Sequence, residues 1–251
     1  MTLAKRMIFM HKDRTDRPYL AQMIADSPAG KTFLVPAILC RPALGKHPDS
    51  GRALRVLFGL LWLSADVMRG GVQAVFRASL PEVRIACGYE GYCRDTPVID
   101  GIAELRDETC DIKNGEILKI FERICVCETG EQVLEWVFTQ EFIDLFVSPR
   151  TFAIASILDI ANLKSGLDFF LYLQVRRVWK MRMKSAQLSL DDLAVAAGLS
   201  HQDTARRTLE RVRRTAARLE ALLGGTIAIS LLRSLLSTHD RKIRVDVTPC
   251  D

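Results

Sequence analysis

The sequence predicts an α+β chain, mostly helical, built as two winged-helix domains in series. The clearest sign is residues 188–223, which read as a short helix, a glycine turn and a long amphipathic helix. The second sign is an order of elements: helix, strand, helix, helix and strand hairpin run through residues 51–139. A similar order, two helices closer together and then two strands, recurs between residues 152 and 247. Charge separates the two halves. Residues 151–251 hold 16 Lys and Arg against 10 Asp and Glu, whereas the first 150 hold 19 against 20, so an anionic partner belongs with the C-terminal half.

Residues 1–50 read as an irregular arm with one short strand, Phe33-Leu34-Val35-Pro36-Ala37-Ile38-Leu39, which Pro36 confines to an edge or a bend. Within the arm, Ala25-Asp26-Ser27-Pro28-Ala29-Gly30-Lys31-Thr32 resembles a phosphate-binding loop whose first Gly is Ala. Such a loop needs a strand before it and a helix after it, so that backbone amides converge on phosphate. Here β-type sequence and a proline follow.

Residues 51–147 form the first domain. Leu54, Val56, Leu57, Leu60, Leu61 and Leu63 predict a buried helix to about Met68, closed by Arg69-Gly70-Gly71. A strand over 72–77 follows, then a helix capped by Ser79 with Pro81 just inside it, ending near Gly88. A third helix uses Ile99, Ile102, Ala103 and Leu105 as its apolar side. It sets Arg94 and Arg106 against Asp95, Asp100, Glu104 and Asp107, a poor balance for reading DNA, so packing or dimerisation is its expected role. Strands over 116–125 and 132–139 flank Glu128-Thr129-Gly130-Glu131, a hairpin signature, and 140–147 is a short amphipathic link. The apolar surface of residues 54–63 exceeds what one helix of a small domain buries, which predicts a homodimer through this half.

Residues 148–251 form the second domain. After the break at Ser148-Pro149-Arg150, residues 152–160 lead into a helix over 164–183 with Leu167, Phe170, Leu171, Leu173, Val175 and Val178 inward. Ser189 caps the next helix, with Asp191 and Asp192 at the positive end of its dipole, and Gly198 ends it. The long helix runs over 201–223. Ala205, Leu209, Val212, Ala216, Leu219 and Leu223 recur every three or four residues as its buried stripe. Arg207, Arg211, Arg214 and Arg218 recur in the same way on another face, flanked by Arg206 and Arg213. Between residues 205 and 223, Glu210 and Glu220 offset six arginines, which suits the helix to a phosphate backbone. Strands over 226–232 and 242–247 close the domain as a wing carrying Arg241, Lys242 and Arg244.

The N-terminal turns of such a helix enter the major groove and later turns pass over the backbone. His201, Gln202, Thr204, Arg206 and Arg207 are therefore the expected base readers, and Arg214 and Arg218 the expected phosphate contacts. Trp62, Trp136, Trp179, Phe169, Phe170 and Tyr172 sit at apolar positions and are expected in the core, not stacked on bases.

The remaining chemistry is sparse. Seven cysteines, an odd number without C-x-x-C spacing, fit reduced thiols in a cytoplasmic protein. The histidines, His11, His47, His201 and His239, are scattered, so neither metal nor cofactor is expected. No signal peptide is read at the start, and Arg55 and Asp66 interrupt the longest apolar run, so no membrane span is expected. Neither paired carboxylates nor a Tyr beside metal ligands suggests a nuclease.

The order of two winged helices, the second more basic, resembles bacterial plasmid replication initiators of the Rep type. Lys164-Ser165-Gly166-Leu167-Asp168-Phe169-Phe170-Leu171-Tyr172-Leu173 looks like a helix of that family. Arg206 with Leu209 resembles its recognition helix, and Arg241-Lys242-Ile243-Arg244-Val245 its wing. Gly51-Arg52-Ala53-Leu54-Arg55-Val56-Leu57 is similar to the first helix of its N-terminal domain, so the resemblance spans about residues 45–248. It implies a non-enzymatic initiator that binds origin repeats in double-stranded DNA, helps open the origin and recruits host replication proteins. A winged-helix transcriptional regulator is the alternative. A nucleotide-dependent enzyme using Lys31 and Thr32 is a third reading.

Overall fold

The computed structural model describes residues 18–27, 30–40, 51–92, 94–106, 109–111, 117–129, 131–147, 152–199, 205–232 and 242–249. The arm is more regular than expected. It holds a helix, α1 (Pro18–Asp26), whose first amides, those of Tyr19 and Leu20, are capped by the Glu90 carboxylate. Strand β1 (Thr32–Pro36) stops where Pro36 removes a donor, and a single 3-10 turn, Ala37–Cys40, follows.

The first unit begins with α2 (Gly51–Arg69), β2 (Phe76–Ser79) and α3 (Leu80–Ala86). The strand expected over 72–77 thus sits later, directly against the cap of α3. There Ser79 Oγ accepts from the Glu82 amide while the Glu82 carboxylate accepts from the Ser79 amide at 2.8 Å. Next comes α4 (Thr96–Leu105). Its buried stripe is Val98, Gly101, Ile102 and Leu105; Ile99 and Ala103, expected inward, are exposed. Gly101 decides the rotation: a Cβ there would lie 2.6 Å from Val56 Cγ2, so this face of α4 meets α2 at close range. A small hairpin, β3 (Thr109–Asp111) with β4 (Ile117–Lys119), precedes β5 (Phe121–Thr129) and β6 (Glu131–Phe138). The strand expected over 116–125 is therefore two strands with different partners. Helix α5 (Gln140–Val147) closes the unit.

The second unit opens with β7 (Phe152–Ser156) and the single turn α6 (Ile157–Ile160), then α7 (Gly166–Lys180). The sequence reading missed β8 (Ser185–Ser189), whose Ala, Gln and Ser residues lack a β-type signature. After it come α8 (Leu190–Ala196), α9 (Ala205–Leu223), β9 (Gly225–Leu232) and β10 (Lys242–Pro249). The repeat of architecture is now complete. Each unit has a three-stranded antiparallel sheet in which the last strand lies between the other two, β2-β6-β5 and β8-β10-β9.

The units share one hydrophobic core. Phe58 of α2 stacks on Phe169 of α7 at 5.4 Å and 8°, and Phe33 of β1 leans on Phe58 at 6.3 Å. The arm strand β1 pairs along its length with β7, so the N-terminal segment is tied to the second unit as well as the first. Gly88, at φ +74°, lets α3 abut the turn after α6; a Cβ would lie 2.5 Å from Ala161 Cα. The apolar face of α2 that predicted a dimer is buried by the chain itself, with Val56, Leu57, Phe58 and Leu60 fully covered. That argument for a second copy therefore falls.

The Tyr172 hydroxyl knits β7, α6 and α7 together: it accepts from the Ser156 amide at 2.8 Å and donates to Asp159 Oδ2 at 2.9 Å. Burial raises the Asp159 carboxyl above its ordinary value, and the Tyr172 bond opposes that shift. Tyr172→Phe is expected to cost about 1–3 kcal/mol in denaturant unfolding, because the buried Ser156 amide is left without an acceptor. A loss within about 0.5 kcal/mol, the range of ordinary surface changes, would show the hydroxyl to be dispensable.

Candidate nucleic-acid interface

The helix-turn-helix forms as its residues dictate. Ser189 Oγ accepts from the Asp191 amide at 3.1 Å, starting α8, and Gly198 reverses the chain at φ +62°. Thr208, Val212, Thr215, Ala216 and Leu219 form the buried stripe of α9, with Ala205, Leu209 and Leu223 at its margins. The two threonines in that stripe were not anticipated.

The arginines of α9 divide into two groups. Arg206, Arg207, Arg213 and Arg214 are exposed, with Arg206 89% exposed at its side chain and 3.2 Å from Glu210. Arg214 Nε reaches back to the Glu210 carbonyl at 3.4 Å, which leaves most of its guanidinium outward. Arg211 and Arg218 bind acceptors on other elements. Arg211 donates to the Ala197 carbonyl at 2.7 Å, tying α9 to the end of α8. Arg218 donates to Asp168 Oδ1 at 2.5 Å and to Thr215 Oγ1 at 3.0 Å. In the four-residue ladder seen in the sequence, Arg207, Arg214 and Arg218 are exposed and Arg211 is half-buried, and Arg211 and Arg218 are tied to acceptors on other elements. Of the expected base readers, His201, Gln202 and Thr204 lie outside the described residues, as does Arg241 of the wing. Lys242 is exposed at the start of β10, and Arg244 pairs with Asp246 at 2.7 Å.

Other basic residues have structural duties. Arg176 donates to the Ile154 carbonyl at 2.7 Å and lies 5.8 Å from the Trp179 ring. In the first unit Arg52 bridges Asp100 and Glu104, and Arg84 pairs with Asp95. The carboxylates of α4 are thus neutralised within the unit, while Arg94 and Arg106 stay exposed. The charge count that disfavoured α4 treated those carboxylates as free.

Sequence reasoning missed Asp168, a carboxylate only 4% exposed at its side chain. Its spacing from Ser165 is that of a capping box and was visible; its partner 50 residues away was not.

The resemblance to a phosphate loop does not survive the backbone. A helix, α1, comes before it and a strand, β1, after it, the reverse of what a phosphate cradle needs. The Gly30 carbonyl accepts from Trp62 Nε1 at 2.8 Å, and the Lys31 carbonyl from the Ile157 amide at 3.0 Å. Lys31→Ala is expected to leave thermal stability within about 0.5 kcal/mol, and calorimetry with millimolar ATP to show no binding. Saturable ATP binding lost in that variant would revive a nucleotide site. Among the described residues no three metal-ligating side chains cluster, and burial raises the thiols of Cys40, to about 12, and of Cys87. No helix of the described residues is long and apolar enough to cross a membrane.

No family model and no curated protein sequence matches the chain. Solved structures do. The Pi initiator protein, solved in complex with iteron DNA, superposes with a TM-score of 0.60 at 13% identity, over 88% of this chain and 98% of that one. Domains 2 and 3 of RctB give a TM-score of 0.48 at 12% identity, over 79% of this chain and 82% of theirs. The chain therefore shares its fold with the Pi initiator over 88% of its own length.

Proposed function

We propose that the chain is a replication initiator that binds repeated origin segments of double-stranded DNA in a sequence-specific manner and helps open the origin. It does so without catalysis of its own. The observation that carries this reading is the likeness to the Pi initiator, solved with iteron DNA, across 98% of that solved chain. The exposed arginines of α9 support it independently. His201, Gln202, Thr204, Arg206 and Arg207 are assigned to base edges, and Arg213, Arg214, Arg241 and Lys242 to phosphates. Host replication proteins complete the expected partners. A homodimer belongs to the reading too, formed by the first unit. Its surface there is the edge of β5, which among the described residues pairs with β6 alone. Sedimentation of the free chain tests this: a monomer at every concentration would remove the dimer.

The function itself is tested by titrating the full chain with duplexes carrying direct repeats from its neighbouring DNA and with scrambled duplexes of equal length. Preference for the repeats by about 10³-fold or more is expected at physiological salt. A replicon carrying those repeats should be maintained only with the chain supplied. Tight repeat binding without maintenance would favour a transcriptional regulator.

A further inference from the structure

Arg218 lies on the outer side of the recognition helix at a spacing that suggests a phosphate contact, yet its guanidinium is turned onto Asp168. Asp168 is buried and serves two helices at once. Its Oδ2 accepts from the amides of Lys164 and Ser165 at 3.0 Å each, capping α7, while its Oδ1 takes Arg218 of α9. The same two capped residues receive the first unit: a Cβ on Gly51, the first residue of α2, would lie 2.6 Å from the Lys164 carbonyl and 2.9 Å from Ser165 Cα. Arg55, one turn further along α2, donates to the Leu163 carbonyl next to them. One carboxylate therefore joins the recognition helix to the junction between the two winged-helix units.

We propose that Asp168 and Arg218 are positioning residues that fix α9 against this junction, so that Arg218 acts on DNA through the placement of the helix and not by touching a phosphate. The inference rests on the DNA-binding reading above. It explains why the guanidinium of an exposed helix residue is turned onto a buried carboxylate while Arg213 and Arg214 beside it are exposed. It also predicts that the two residues act as one unit, since either alone leaves the other without its partner.

The test uses the full chain and its Arg218→Ala, Asp168→Asn, double and Arg218→Lys variants, titrated over a salt series with repeat and scrambled duplexes. Asparagine retains an acceptor for the Lys164 and Ser165 amides, so α7 keeps its cap. Each single change should lower the repeat-over-scrambled preference about tenfold, the scale of one lost base contact, and leave the salt slope unchanged. The double variant should match either single one, and Arg218→Lys should recover most of the preference. A phosphate contact behaves differently: Arg218→Ala would then lower the slope by about one and weaken all sequences alike. That result, with Asp168→Asn silent, would overturn the proposal while leaving DNA binding intact. If the unaltered chain binds no duplex, the functional reading fails, and amide hydrogen exchange without DNA decides the positioning role. Faster exchange in both residues 205–223 and 51–58 in each single variant supports it; exchange unchanged in 51–58 overturns it.

Discussion

Replacing Arg213, Arg214 and Lys242 together by alanine is expected to lower affinity for every duplex about a hundredfold near 0.15 M salt. All three side chains are exposed, two on the outer face of α9 and one at the base of the wing. Each neutralised phosphate releases counterions and adds about 0.9 to the slope of log affinity against log salt, so the triple variant should lose a little under three units of slope. The ratio between repeat and scrambled duplexes should hardly change, because phosphate contacts carry no sequence information. Thermal stability should stay close to that of the parent, since none of the three is in the core. An unaltered slope would move the DNA surface away from α9 and the wing.

Phe58→Ala is expected to produce the largest loss of stability, about 3–5 kcal/mol for a fully buried aromatic. Phe58 is the central ring of the stack that joins β1, α2 and α7, so its removal opens a cavity shared by the arm and both units. For a chain of this length that corresponds to a fall in Tm of roughly 6–20 °C. Calorimetry should show one transition moving as a whole, because the two units share their core and β1 is paired with β7. Two separate transitions, only one of which moves, would show that the units unfold independently.

This packing bears on what could be read beforehand. Dense 3.6-residue periodicity made α2, α7 and α9 legible, and Ser79, Ser189 and Gly198 marked boundaries because caps and left-handed turns have few acceptable residues. Strand β8 was invisible because its pairing with β10 and not its composition makes it a strand. The rotation of α4 was misread because Gly101, which carries no hydrophobicity, sets the contact with α2. The boundary read between 147 and 148 rests on the order of elements, and the contacts that cross it, β1 with β7 and Phe58 with Phe169, join residues too far apart in the chain for spacing to show. In the interface, spacing found the arginine faces of α9. It could not separate Arg214 from Arg218, because the carboxylate that captures Arg218 is 50 residues earlier in the chain.

On the proposed reading, Gln202 and the first turn of α9 meet bases, and the later turns meet phosphates. Paired titrations of Gln202→Ala, Arg206→Ala and Arg214→Ala against single-base variants of one repeat, across a salt series, test it most directly. Gln202→Ala and Arg206→Ala are each expected to flatten the preference at one base position by about 1–3 kcal/mol. Arg214→Ala should instead weaken all variants equally and lower the salt slope by about one. Arg214→Ala altering base preference, with Gln202→Ala and Arg206→Ala leaving it intact, would contradict the assigned orientation of the helix on DNA.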